Sequence, residues 1–144
     1  MVNLFKAYLS TKLDAGGSET TIYLDRITTL TGETVATSHF ATLGRGILTV
    51  NPDGDGTTSY PEHISFTTVS GTTLTGAIRG LSTLSDSVVT ANKRYHPVGT
   101  PVVISFGVHN MLDLIGYIDD QVAALVLGAA TVVLGTAGET ITAG

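Results

Sequence analysis

Residues 62–79 read EHISFTTVSGTTLTGAIR, and this stretch decides the fold. Apolar and polar residues alternate through Ile64, Phe66 and Val69, and the alternation resumes through Leu74. That period of two belongs to strands, and β-branched Thr, Val and Ile sit well on a pleated surface. Ser70-Gly71 lies between the two runs and supplies a residue tolerant of positive φ. The stretch therefore predicts a hairpin of strands at 62–69 and 72–79.

Similar short alternating runs, bounded by Gly, Pro and Asp, predict further strands at 4–9, 21–27, 47–50 and 102–106. Several short strands at this spacing predict an all-β fold, a small antiparallel β-sandwich or barrel. The connection at 81–101 is less regular and carries Lys93, Arg94, Tyr95 and His96 just before Pro97 and Gly99. A loop of that length in a compact domain usually binds something or packs on a neighbouring subunit.

At residue 107 the period changes. Val108, Met111, Ile115, Ile118, Val122 and Leu125 follow the alternating three-and-four spacing of a heptad seam. Asn110 with Asp113 three residues later reads as an N-terminal cap, and Gly128 reads as a stop, so a helix is predicted at 111–127. The same stripe would serve a helix packed on its own sheet. As an oligomerisation seam, Ile at both kinds of position favours a trimeric or tetrameric coiled coil over a dimer. Beyond it, ATVVLGTAGETITAG returns to strand-like alternation with no partner strand following. That leaves two readings open, pairing with other subunits or continuation into a further module. The expected organisation is a β-rich domain at 1–106, an oligomerising helix at 107–128 and the start of a β-module or fibre at 129–144.

Composition narrows the function classes. With 144 residues the chain suits one domain and an appendage. Charged residues make up 13% and the net charge is −5, with the few Lys and Arg scattered, so no basic stripe addresses nucleic acid. There is no cysteine and hence neither a disulfide framework nor a thiolate metal site. The start, MVNLFKAYLS, carries no signal-peptide pattern, and the longest apolar run, at 123–135, is too short to cross a bilayer, so no membrane is expected.

Candidate chemistry is sparse. In NPDGDGTTSYPE, Asn51, Asp53, Asp55, Thr57, Ser59 and Glu62 fall on the ligand positions of a calcium-binding EF-hand loop. Three features depart from that pattern: Asn51 stands at the first position, Thr58 replaces the usual apolar residue, and neither flank is helical. An Asp-Gly turn between strands explains the stretch without metal. His39, His63, His96 and His109 have no paired ligand spacing and read as surface residues, His63 on the solvent face of a strand. Arg79 reads as the partner of a nearby carboxylate at a sheet edge. Asp119-Asp120 lie on the helix flank, and no acid and base pair or nucleophilic triad stands out. The expectation is a protein that is not an enzyme and takes no cofactor.

The longer stretch PEHISFTTVSGTTLTGAIRGLSTLSDSVVTANKRYHPVGTPVVIS resembles a pattern found in many tailed-bacteriophage virion proteins. Its positions are Glu62, Ile64-Ser65-Phe66-Thr67, Ser70-Gly71, Leu74-Thr75-Gly76, Arg79-Gly80-Leu81, His96, Gly99 and Val102-Val103. Tail-fibre, tailspike and head or tail appendage proteins carry it near their attachment region, commonly followed by a helix. The closing GTAGETITAG is similar to the opening of a small β-module in phage fibre and head-decoration proteins, although the expected continuation does not follow. The resemblance implies a structural protein of the virion, a homotrimeric fibre or spike anchor or a decoration protein. Its partners would be copies of itself and a capsid, portal, neck or tail protein. A carbohydrate-binding or host-receptor module of a phage tail is the alternative. That reading needs exposed aromatics, and in a chain without Trp the loop tyrosines are Tyr60 and Tyr95.

Overall fold

The computed structural model describes residues 3–56, 59–105 and 108–143. Eight strands precede one helix: β1 (Asn3–Tyr8), β2 (Thr21–Tyr23), β3 (Gly46–Val50), β4 (Glu62–Phe66), β5 (Thr68–Ser70), β6 (Thr73–Thr75), β7 (Ile78–Leu81), β8 (Pro101–Ser105) and α1 (Val108–Ala143). They form two antiparallel sheets, one ordered β1-β8-β3-β4-β7 and the other β2-β6-β5. The fold is thus mostly β with a C-terminal helix, as the alternation predicts. It is not a closed barrel, because β1 and β7 stand at opposite edges of the larger sheet.

The predicted hairpin is present but distributed differently. Ser70 pairs with Thr73 across Gly71-Thr72, and Gly71 takes φ 56°, a conformation suited to glycine at the first loop position. Each predicted arm, however, is cut in two. The chain leaves the larger sheet at Thr67, makes β5 and β6 in the smaller sheet, and returns at Gly76 to enter β7. Gly76 permits this crossing: its φ is 64°, and a side chain there would collide with the Thr67 hydroxyl. Thr67 N–H donates to the Thr75 carbonyl at 3.0 Å, which ties the two crossing points together.

One hydrophobic cluster draws on both sheets. Leu48 and Val50 of β3, Ile64 and Phe66 of β4, and Val102 and Ile104 of β8 alternate inward, while Ile22 and Leu74 stand opposite each other in the smaller sheet. Phe40, at the end of a single 3-10 turn (Thr37–Phe40), meets the Phe66 ring edge-on at 5.2 Å. The other face of the larger sheet is also covered in part, since Ile47, Thr49, Ser65 and Val103 are buried.

The first turn of α1 reaches this second face. The helix begins at Val108, so Asn110 is not its cap but a buried residue of the first turn. At the other end the helix runs through Gly128 to Ala143 with no break, where sequence alternation predicts a stop and then a strand. A strand there would need a neighbour for its N–H and C=O groups, whereas a helix satisfies them within the segment. Among the described residues no helix is long and apolar enough to cross a membrane.

Candidate functional site

Two polar clusters organise the β region, and neither is apparent from spacing alone. The first centres on Glu62 and Arg79, whose side chains are both 0% exposed. Alternation in β4 and the edge position of β7 bring them face to face. Arg79 uses all five of its donors: Nε and Nη2 bind the two Glu62 oxygens at 2.9 and 2.8 Å, Nη1 binds Glu19 Oε2 at 2.6 Å and the Asp14 carbonyl at 2.8 Å, and Nη2 also reaches the Arg94 carbonyl at 2.6 Å.

Glu62 is equally saturated. Besides the guanidinium it accepts from Gly80 N–H at 3.2 Å, Arg94 N–H at 3.0 Å and His96 Nε2 at 3.1 Å. An ionised carboxylate can only accept, so the His96 proton sits on Nε2. Burial pushes the Glu62 carboxyl up, but the His96 hydrogen bond and the Arg79 charge outweigh it and hold the group below its ordinary range. Glu19 follows the same logic: partial burial raises it, while the Asp14 N–H and Arg79 bring it below its usual value. The sheet-edge ion pair expected of Arg79 is present, and it is buried rather than solvated.

The second cluster holds the base of α1. Arg45 Nε and Nη2 clasp the Asp113 carboxylate at 2.8 and 2.9 Å, and Nη2 also contacts Asp86 Oδ1 at 2.8 Å. The hydrogen bonds it donates to Asp113 raise the Arg45 guanidinium above its ordinary value against the opposing effect of burial. Asp86 in turn accepts from His109 Nδ1 at 3.0 Å. Burial pushes Asp86 up, yet Arg45 and His109 leave it below its ordinary range. The buried His109 Nε2 has no hydrogen-bond partner among the described residues, and its ring lies 5.6 Å from that of His63. Burial and the neighbouring His109 lower His63, which also contacts the Thr49 hydroxyl at 3.1 Å.

These contacts correct the reading of the histidines. His96 and His109 are buried, and His63 is half-buried on the face opposite the core rather than free in solvent. Asp113 serves as an anchor for Arg45 instead of completing a helix cap.

The residues of the calcium pattern are not gathered around one point. Glu62 is committed to Arg79 and His96, whereas Asp55 caps the turn by accepting from Ser59 N–H at 2.8 Å. Asn51 takes φ 55°, its carbonyl accepts from Gly54 N–H at 3.0 Å and its amide donates to the Ser59 hydroxyl, so these polar groups are satisfied without metal. Asp53 is exposed at its tip, and Thr57 lies outside the described residues.

The heptad positions have the opposite character. Met111, Ile115, Ile118, Val122 and Leu125 are between 46% and 73% exposed, with Val108 at the base also exposed. Beside the turn, Tyr60 and Tyr95 line a common depression together with Arg94, whose guanidinium lies 4.1 Å from the Tyr60 ring centre. Comparison with known protein families, with curated proteins and with solved structures returns no match.

Proposed function

We propose that the chain is a non-enzymatic structural protein of a phage virion. In this reading the two sheets form a small antiparallel sandwich that docks on a capsid, portal, neck or tail protein. The helix then joins three copies at the root of a fibre or spike. The observation that carries this is the uneven treatment of α1. Its base is clasped by Arg45 through Asp113, while the apolar positions beyond it stay about half exposed or more among the described residues.

Burying such a face against two copies contributes at about 25 cal/mol per Å² of apolar surface removed from water. Leu112 and Val126 flank the seam and are exposed as well, which widens the apolar face beyond what a two-stranded contact would cover. A helix with so few apolar turns is marginal alone, and the anchored β domains would hold the copies in register.

Sedimentation equilibrium of the whole chain tests the reading, with a trimer as the expected species. Ile115→Asp combined with Ile118→Asp should give monomers that keep the β-rich circular dichroism signal. A monomeric parent chain, or a trimer that survives both substitutions, would remove the seam from the assembly. Immunogold labelling of intact particles checks the virion location separately.

A further inference from the structure

We propose that the depression lined by Asn51, Ser59 and Tyr60 on one side and by the segment at 94–101 on the other is a binding site for a carboxylate-bearing sugar. Tyr60 and Tyr95, far apart in sequence, line it together with Asn51, Ser59, Arg94 and His96. Its volume is about 410 Å³, within the ordinary range for small-ligand sites.

The cation in this depression is distinctive. Arg26 pairs with Asp25, Arg45 with Asp86 and Asp113, and Arg79 with Glu19 and Glu62. Arg94 has no carboxylate within ion-pairing distance among the described residues. Its guanidinium lies over the Tyr60 ring, which fixes the plane of the fork while its donors stay available to a carboxylate.

The site is also held in shape before any ligand arrives. Arg94 N–H donates to Glu62, and the Arg94 carbonyl accepts from Arg79, so the backbone beneath the guanidinium is bolted to the buried ion pair. Asn51 sits at φ 55°, uncommon for a residue other than glycine, and its amide donates to the Ser59 hydroxyl and the Tyr60 carbonyl, which fixes this part of the lining. Tyr95 is 56% exposed and offers an aromatic face to the C–H face of a sugar ring. One fork for a carboxylate, an exposed tyrosine and the hydroxyl-bearing residues Ser59, Tyr60 and Thr100 match an acidic monosaccharide better than a peptide or a nucleic acid. A single cation on a chain of net charge −5 makes a poor phosphate-backbone track.

Titration of the isotope-labelled whole chain by NMR tests this, with galacturonic acid and N-acetylneuraminic acid as probes. Galactose serves as the neutral control and triaspartate as a carboxylate without a sugar. Saturable shifts centred on Tyr95 and Asn51 are expected with at least one acidic sugar, with galactose weaker by about tenfold. Arg94→Gln should weaken binding by about tenfold while lowering the melting temperature only slightly, because the side chain loses its contact with the Tyr60 ring but only the backbone of Arg94 enters the ion-pair network. Tyr95→Ala, at an exposed position, should weaken it several-fold and decides the matter if Arg94→Gln fails to fold. Absence of saturable binding by both acidic sugars would overturn the proposal. So would equal binding of triaspartate, which would make the depression a docking point for a protein carboxylate, or an affinity unchanged in the folded Arg94→Gln variant.

Discussion

The β region and the far part of α1 solve the problem of buried and exposed groups in opposite ways. Around Arg79 each donor has an acceptor, and the Arg79 and Glu62 charges are sealed from water. Along α1 the backbone is satisfied, yet between Met111 and Leu127 the large apolar side chains other than Leu114 are exposed. The contrast separates a region whose polar groups are paired within the fold from one whose apolar face is left open. Backbone satisfaction alone does not make a finished surface.

The sharpest way to break this contrast is at the buried carboxylate. Glu62→Ala leaves the Arg79 charge short of two acceptors in a sealed site and should cost about 3–5 kcal/mol, seen as a lower urea midpoint at fixed protein concentration. Acid should act at the same place. A carboxyl held below its ordinary value of 4.5 contributes stability that is complete at neutral pH. That contribution disappears as the pH falls below the ordinary value through the lower folded one. Glu62→Ala should flatten the acid limb of a stability profile recorded between neutral pH and about pH 3.

A smaller effect is expected where the two regions join. Arg45→Met removes the clasp on Asp113 in a partly exposed setting and should cost about 1 kcal/mol, with faster amide exchange in the first turns of α1 as the readout. Smallest of all is the effect expected at the exposed Asp53. Asp53→Ala should change stability by less than about 0.5 kcal/mol. Calorimetric titration with calcium should give no heat of binding that the substitution removes. Micromolar binding lost in this variant would restore the metal reading of the turn.

Much of the fold was legible because it follows from local rules. The strand runs, the Gly71 hairpin and the change of period near residue 107 all depend on neighbours within a few positions. The sheet switch at Thr67 and Gly76 was not, because alternation continues across it while the two halves enter different sheets. The end of α1 was misread for a related reason. Thr and Val in 129–143 alternate like a strand, but the pattern cannot tell whether a partner strand exists. Glu62, Arg79 and His96 were singled out as positions of a resemblance, and their convergence is visible only in three dimensions. His109 gave no signal at all, since its burial depends on where the helix base lands.

The five contacts of Arg79 have one consequence for how the protein is made. They tie together chain segments near residues 14, 19, 62, 79 and 94. A growing polypeptide cannot close this knot until Arg94 and His96 have left the ribosome. Until then one Arg79 donor lacks the Arg94 carbonyl, and Glu62 lacks the Arg94 and His96 donors. The larger sheet waits longer still, since β8 lies between β1 and β3 and is the last of its strands in the chain.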